Sequence, residues 1–330
     1  MVLAYVVNGL GVGTVTAIDT KTHSVISTVN VAVNSSAIAI APDGKLAYVL
    51  APNSGVFVID TKTSRVIANI ITGINSTDIT ITPDGEFIYV TNPPASVCVI
   101  DTKTQTIIGK VTVSNSNRKG IFAIGKRVYV LNSEDGTVSV LDTKTHRLIA
   151  TITTGIVPID IKFTDGGKLA YVLNRDSPNL VVVNGETFSI IATVILSERP
   201  RFIDITPNEK TAYVTDFNNI FVLDTKTNVI TGTLQIGNSP FDRPVFSPDG
   251  KLAYITNGNA VTVIDVKTHS LITTVQVGNG SRFVEFTPDG KLAYVGNAAE
   301  ETVSVIDVKT HSIIATVPVA NPISIAFISQ

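Results

Sequence analysis

Short apolar runs recur along the whole chain, separated by polar stretches that contain Gly, Pro, Asn or Asp. Typical runs are "LAYVLN", "VSVID" and "IIATV", in which Val, Ile and Tyr are frequent. Runs of this length and composition predict β-strands, because β-branched and aromatic side chains suit a pleated, half-buried surface. The recurring "PDG" predicts tight turns, since Pro presets φ and Gly accepts a positive φ. The pattern therefore predicts an all-β protein.

The runs form a repeat. All eight tyrosines open the same kind of segment, at intervals of 40 to 43 residues; they are Tyr5, Tyr48, Tyr89, Tyr129, Tyr171, Tyr213, Tyr254 and Tyr294. Each unit predicts four short strands joined by three tight connections. Eight units fill the chain without a linker, so we expect one domain over residues 1–330.

A period of about 41 residues with four strands per unit is typical of a β-propeller blade. "YVTN" at 89–92, "YVLN" at 129–132 and 171–174, "VIDTKT" and "PDGK" resemble the YVTN-family repeat, over residues 3–330. That family includes surface-layer and other bacterial and archaeal propellers. The resemblance implies that the strand before "PDG" is innermost (A), followed by "YVTN" (B), "VSVID" (C) and "IIATV" (D).

The positions of the chain ends then predict how the ring closes. The chain starts on a B strand at Leu3 and ends on an A strand at 323–328. We therefore expect eight blades of four antiparallel strands, with the C-terminal strand completing the N-terminal blade (1+3 closure), which leaves no free end of the ring.

The four histidines all fall in the C–D turn, which makes a catalytic role improbable on pattern alone. They are His23, His146, His269 and His311, and the other units place Ser64, Gln105, Phe188 and Asn228 there. A position that accepts such different side chains is a turn position, and the neighbouring Asp and Thr residues are expected to bond local backbone N–H groups. Haem or zinc bound through a central histidine is not expected, and no cofactor or metal is predicted.

Composition narrows the function classes further. The net charge of −2 and the few cations argue against nucleic-acid binding. No run approaches 18 apolar residues, so no membrane span is expected. The only cysteine, Cys98, replaces a strand Ser or Phe and is expected to be buried packing. No signal peptide is recognised after Met1; the compartment stays open, and the resemblance implies a cell-surface or secreted protein. A monomer is expected.

Basic residues depart from the repeat in an informative way. Of 16 lysines, 13 lie in the "DTKT"-type and "PDGK"-type turns, whereas five of nine arginines lie in D–A connections or at the start of A strands. These arginines are Arg118, Arg199, Arg201, Arg243 and Arg282, and Lys119 joins them. Because Arg presents a planar fork of donors, this predicts an anion-binding funnel at the channel mouth, contributed by blades 4, 6, 7 and 8.

Acidic residues break the repeat on the same innermost strands: Asp78, Asp160, Asp204, Asp242 and Glu285. Three interpretations stay open. The acids pair with cations around a wet channel, as Lys162 with Asp204; or they line a ligand site; or their oxygens hold a metal.

The function predicted from these features is a non-catalytic binding or scaffold propeller, with its ligand or partner at the mouth formed by D–A and B–C loops. The partner would be a protein, a glycan or a small anion, and Phe202, Phe241 and Phe283 would add apolar contact. The predicted ligand-binding residues are Arg118, Lys119, Arg201, Arg243, Arg282, Asp78 and Asp160. The alternative is a hydrolase or lyase acting on a lactone or sugar acid, with Asp204, Asp242 or Glu285 as general base.

Overall fold

The computed structural model describes residues 2–9, 11–114, 120–196, 199–237 and 243–329. The strands form eight four-stranded sheets that follow one another along the chain. Blade 1 begins with β1 (Val2–Asn8), β2 (Thr14–Asp19) and β3 (Ser24–Asn30). Blade 2 comprises β4 (Ala37–Ile40), β5 (Leu46–Ala51), β6 (Gly55–Asp60) and β7 (Arg65–Ile70). Blade 3 comprises β8 (Ile79–Ile81), β9 (Phe87–Asn92), β10 (Ser96–Asp101) and β11 (Thr106–Thr112). Blade 4 comprises β12 (Ile121–Ile124), β13 (Arg127–Asn132), β14 (Thr137–Asp142) and β15 (Arg147–Thr153).

The second half of the chain repeats this arrangement. Blade 5 comprises β16 (Pro158–Thr164), a short 3₁₀ turn (Asp165–Gly167), β17 (Leu169–Asn174), β18 (Asn179–Asn184) and β19 (Ile190–Ile195). Blade 6 comprises β20 (Phe202–Ile205), β21 (Thr211–Thr215), β22 (Asn219–Asp224) and β23 (Val229–Gln235). Blade 7 comprises β24 (Val245–Phe246), β25 (Leu252–Asn257), β26 (Ala260–Asp265) and β27 (Ser270–Gln276). Blade 8 comprises β28 (Ser281–Phe286), β29 (Leu292–Asn297), β30 (Thr302–Asp307) and β31 (Ser312–Pro318).

The last strand, β32 (Pro322–Ser329), returns to blade 1 and pairs with β1. The pairing is antiparallel, with Leu3 opposite Ile328 and Val6 opposite Ile325. The predicted eight blades and the 1+3 closure are therefore confirmed. Closure places both described chain ends in one hydrogen-bonded sheet, so neither end leaves an open edge at the junction of blades 1 and 8.

The core lies between blades, where adjacent sheets pack face to face. Tyr5 and Val7 of blade 1, for example, pack in one cluster with Ala47 and Val49 of blade 2. All eight tyrosines are at most 1% exposed and are among the largest fully buried side chains. Cys98 is also fully buried, as predicted, in the cluster between blades 2 and 3.

Most of the buried tyrosines hydrogen-bond through the hydroxyl to the C–D turn of the next blade. The Tyr89 hydroxyl lies 2.8 Å from Nδ1 of His146, and the Tyr294 hydroxyl lies 3.2 Å from Nδ1 of His23, across the ring closure. Tyr171 donates instead to the backbone carbonyl of Thr225, at 2.9 Å. We call these contacts the tyrosine latches. Six of the eight tyrosines make one, namely Tyr5, Tyr89, Tyr171, Tyr213, Tyr254 and Tyr294.

The C–D turn is shaped to present the latch acceptor. Its histidines adopt positive φ values, 54° at His146, as does Asn228 at 57°. The aspartate that opens the turn accepts hydrogen bonds within it, as Asp142 does from the backbone N–H of Thr145 at 2.7 Å. The structural interpretation of the histidines is therefore confirmed, and the structure adds a partner, the neighbouring tyrosine, that the repeat alone did not indicate.

The latches predict how stability responds to acid. Burial lowers the pKa of His146 and of His269, so the folded state favours the neutral imidazole. Their contribution is complete above the unfolded pKa of about 6.5 and is lost as pH falls below it. We expect the double variant His146→Asn, His269→Asn to lose less stability than the wild type between neutral pH and pH about 5, measured by urea unfolding.

Asparagine is the matched replacement because Asn228 occupies the same turn position with the same sign of φ and lies 3.2 Å from the Tyr171 hydroxyl. At neutral pH the double variant should therefore lie within about 1 kcal/mol of the wild type. The control, Tyr89→Phe with Tyr213→Phe, should lose stability at every pH. An unchanged acid response in the histidine variant would contradict the prediction.

Candidate functional site

The two faces of the ring carry different connections. Because successive strands are antiparallel, the A–B and C–D turns lie at one end of each blade, and the B–C and D–A loops lie at the other. We call these ends the turn face and the mouth face. The innermost strands are β32, β4, β8, β12, β16, β20, β24 and β28, and each enters the channel from the mouth face.

One register position on these strands varies strongly around the ring. It lies two residues before the residue that pairs with the blade's tyrosine. Its occupants, from blade 1 to blade 8, are Ser324, Ala37, Asp78, Gly120, Asp160, Phe202, Arg243 and Phe283. Blades 1, 2 and 4 therefore present small residues, blades 3 and 5 acids, blades 6 and 8 phenylalanines, and blade 7 an arginine.

The two acids at this position connect neighbouring blades. Asp78 accepts the backbone N–H of Ile79 at 2.9 Å and that of Ile121, in the next blade, at 3.0 Å. Asp160 likewise accepts from Ile161 at 2.8 Å and from Ile203, in the next blade, at 3.2 Å. Their carboxylates thus satisfy backbone donors on inner strands that have no further strand to pair with.

Burial raises the pKa of these two carboxyl groups, whereas their hydrogen bonds lower it. It raises the pKa of Asp78 to about 6 and also raises the pKa of Asp160. The positive charge of Arg243 opposes both shifts.

The remaining inner-strand charges pair with one another. Lys162 Nζ lies 3.0 Å from Asp204, as the sequence predicted, and both side chains are about one-fifth exposed. Arg243 lies 3.9 Å from Glu285. Two of the three proposed general bases, Asp204 and Glu285, therefore face a cation. The third, Asp242, lies outside the described residues, as do Arg118, Lys119 and Phe241.

Two of the predicted ligand-binding arginines stand at the rim of the mouth. The Arg201 guanidinium lies 5.0 Å from the ring centroid of Phe217 and 5.6 Å from that of Phe202. Arg282 is skipped in the pairing of β28 with β29, which passes from Ser281 to Phe283, and its side chain is exposed. A bulge of this kind redirects a side chain away from the sheet.

The B–C loops add groups that the sequence analysis did not single out. Phe217, in the B–C loop of blade 6, is 47% exposed while it stacks on Arg201. Asp176, in the B–C loop of blade 5, lies 2.8 Å from Arg199 and 3.1 Å from Arg175. The Arg175 side chain lowers the pKa of Asp176. Both residues interrupt loops that are otherwise Gly-, Asn- and Ser-rich, which is the signal that could have identified them.

In the part of the chain that the structure describes, no three His, Cys, Asp or Glu side chains are grouped so that they could hold a metal ion. No helix there is long and apolar enough to cross a membrane.

Comparison with known families gives two matches. Residues 162–328 match the family described as a domain of unknown function, DUF5074. The chain belongs to this DUF5074 family. Residues 3–120 match the Cytochrome D1 heme domain. No curated protein matches the chain at a significant level.

Among solved structures, the chain resembles the dihydro-heme d1 dehydrogenase NirN in complex with DHE, with a TM-score of 0.87 and 16% identity. The match covers 98% of this chain and 74% of NirN. It also resembles the hydrazine synthase of Kuenenia stuttgartiensis, with a TM-score of 0.66 and 22% identity, over 83% of this chain and 95% of that one. At these identities the likeness establishes the propeller fold.

These matches correct the function predicted from the sequence. A non-catalytic scaffold, with a lactone or sugar-acid hydrolase or lyase as its alternative, is wrong. The findings that overturn it are the match of residues 3–120 to the Cytochrome D1 heme domain and the likeness to NirN, described as a dihydro-heme d1 dehydrogenase. The repeat places all four histidines in C–D turns, which is why the sequence predicted no haem.

The residues present agree with only part of a haem site. Haem iron is held by His, Cys, Met or Tyr side chains. Within the described residues, the four histidines lie in C–D turns on the turn face, and Cys98 and all the tyrosines are buried between blades. None of these side chains lies at the mouth, so the site does not provide a protein ligand to an iron. The arginines and phenylalanines there do suit the carboxylates and the flat ring of a tetrapyrrole.

The raised pKa of Asp78 predicts that it changes the stability of the fold with pH in the direction opposite to the histidines. Its pKa of about 6 in the folded state exceeds the unfolded value, so the wild type gains stability as pH falls through 6 towards about 4. We expect Asp78→Asn to be about 1 kcal/mol more stable than wild type at pH about 8, because the partly buried charge is removed and the amide oxygen still accepts one of the two backbone N–H bonds. By pH about 5 the advantage should vanish.

Urea unfolding midpoints across this pH range measure the effect. Asp84→Asn is the control, because turn hydrogen bonds from Thr82 and Glu86 lower the pKa of Asp84, so its variant should lose stability at neutral pH. A constant stability difference between Asp78→Asn and wild type at all pH values would contradict the assignment.

Proposed function

We propose that the mouth face binds a tetrapyrrole through its carboxylate groups and its flat ring. Arg201, Arg243 and Arg282 would pair with the carboxylates, because a guanidinium matches a carboxylate with two parallel hydrogen bonds. Phe202 and Phe217 would stack against the ring. The observation that carries the proposal is the Arg201 guanidinium placed beside two phenylalanine rings at the rim of the mouth.

The surroundings of the mouth support a large, partly apolar ligand. The D–A connections on this face carry exposed aliphatic side chains, with Val33 57%, Ile74 67% and Ile156 61% exposed. Exposed apolar side chains on the same face favour a partly apolar ligand over a small polar anion such as a sugar acid. The match to the Cytochrome D1 heme domain and the likeness to NirN support the same ligand class.

In this proposal the protein contacts the carboxylates and the ring of the macrocycle rather than a metal at its centre. An iron, when present, would supply redox or Lewis-acid chemistry, but the described residues offer it no side-chain ligand. The role of this chain's own residues is to hold the carboxylates, to orient the ring over the channel and to exclude water from its lower face.

We also propose that the chain is a monomer with a single domain over residues 1–330. It would be a surface-layer-type member of the YVTN propellers, located at the cell surface or secreted. A protein or glycan partner at the mouth would compete with the tetrapyrrole for the same surface.

The test is a fluorescence titration of the full chain with metal-free coproporphyrin, which separates ring and carboxylate binding from iron ligation. We expect saturable binding, weakened about tenfold or more by Arg201→Ala, since a charged hydrogen-bonded pair and a cation–π contact are lost together. Arg201→Lys should restore little, because lysine keeps the charge but not the planar fork. Iron porphyrin should bind no more tightly than the metal-free ring.

Two controls isolate the mechanism. Arg147→Ala removes an exposed arginine from the outermost strand of blade 4 and should leave binding unchanged. The methyl ester of coproporphyrin keeps the ring but loses the carboxylates, so it should bind poorly. Equal affinity for acid and ester, or equal binding by wild type and Arg201→Ala, would overturn the proposal.

A further inference from the structure

The turn face departs from the repeat between blades 4 and 5. In blade 3, four residues separate Thr82 from Phe87, whose backbone groups pair at the end of the A–B hairpin. In blade 4 the corresponding pair is Ile124 and Arg127, with only Gly125 and Lys126 between them. The A–B turn of blade 4 is therefore two residues shorter than that of blade 3.

The same region replaces an apolar side chain by a charged one. Arg127 occupies the register position that is Leu46, Phe87 or Leu252 in other blades, each opposite the aspartate that ends a C strand. Its guanidinium lies 5.1 Å from the ring centroid of Phe188 and donates a hydrogen bond to the carbonyl of Gly185.

The C–D turn of blade 5 changes at the same place. It reads "NGETF" over 184–188, where blade 1 has "DTKTH". Glu186 thus takes a lysine position. Gly185 is required sterically, because a Cβ there would lie 2.0 Å from the carbonyl oxygen of Gly167.

These changes remove a tyrosine latch. Phe188 stands where other blades place a side chain that can bond a tyrosine hydroxyl. The O–H of Tyr129 consequently has no acceptor, although the residue is only 1% exposed; the neighbouring Arg127 guanidinium can donate to the hydroxyl oxygen but cannot accept from it. A buried hydroxyl without an acceptor costs about 1–3 kcal/mol, so a ligand that accepted from it would gain that much in binding.

A cavity of about 320 Å³ lies at this point, and Tyr129 lines it. Three cationic side chains, Lys126, Arg127 and Lys168, line it with two carboxylates, Asp142 and Glu186. Asp142 is already engaged by the Thr145 hydroxyl, at 2.8 Å. The cavity is near the lower limit of small-molecule sites, which begin at about 300 Å³.

We propose that this cavity is a binding site for a small oxyanion, the phosphate or carboxylate group of a metabolite. Arg127 and Lys126 would supply charge, and the Tyr129 hydroxyl would donate the hydrogen bond that no protein group accepts. The site is on the turn face, opposite the mouth, and it does not depend on tetrapyrrole binding.

Isothermal titration calorimetry of the full chain tests the proposal, with inorganic phosphate in one series and acetate and citrate in another, at constant ionic strength set with chloride. We expect saturable binding in one series, which also distinguishes the phosphate source from the carboxylate source. Arg127→Leu, which restores the residue of other blades, should weaken binding at least about tenfold, and Tyr129→Phe should weaken it severalfold.

The matched control is Tyr48→Phe. The Tyr48 hydroxyl also lacks a hydrogen-bond acceptor, but it does not line this cavity, so its loss should leave binding unchanged. Coproporphyrin binding should be unchanged in Tyr129→Phe, which separates this site from the mouth. If Arg127→Leu does not fold, Lys126→Ala, in an exposed turn, takes its place. No heat of binding in either series, or equal binding by wild type and Tyr129→Phe, would overturn the proposal.

Discussion

The ring depends on burying a tyrosine between every pair of neighbouring blades. The ring of each tyrosine fills the gap between two sheets, but its hydroxyl must find an acceptor there or cost about 1–3 kcal/mol. The C–D turn of the next blade supplies that acceptor six times, through a histidine, an asparagine or serine side chain, or a backbone carbonyl. One side chain thus fixes both the packing of adjacent sheets and the geometry of a turn.

The tyrosine latches make the two faces of the ring differ in how freely their sequences can vary. The turn face is occupied by the latches and by aspartate–threonine turns such as Asp142 with Thr145, so its sequence repeats closely. The loops of the mouth face carry no latch and can vary, which is why Arg201, Phe217 and Arg282 could appear there. Variable loops on a rigid scaffold are where binding residues concentrate. Phe188 is unusual because it breaks the repeat on the turn face, where the sequence otherwise repeats closely.

Much of the fold could be predicted from the sequence because each blade carries its own copy of the pattern. The tyrosine spacing gave eight blades, and the strand types at the two chain ends gave the closure of β32 onto β1. The pairing of Lys162 with Asp204 followed from their places on adjacent inner strands. The latches did not follow, because tyrosine and histidine are about 57 residues apart and meet only when blades stack. The hydrogen bonds of Asp78 and Asp160 did not follow either, because the backbone N–H donors, Ile121 and Ile203, lie in the next blade.

The candidate sites illustrate how a repeat protein acquires chemistry. A side chain that satisfies the consensus is already committed to the ring, as His146 is to Tyr89. The chain has four histidines and eight tyrosines. Because those that the structure describes are used within the ring, they do not provide an iron ligand at the mouth. A tetrapyrrole site on such a scaffold must instead be built from residues that replace the consensus, and arginine is well suited to this because it stays charged beside an aromatic ring and needs no proton uptake. Both candidate sites contain an arginine that departs from the repeat and lies beside a phenylalanine ring. The pairs are Arg201 with Phe217 at the mouth and Arg127 with Phe188 on the turn face.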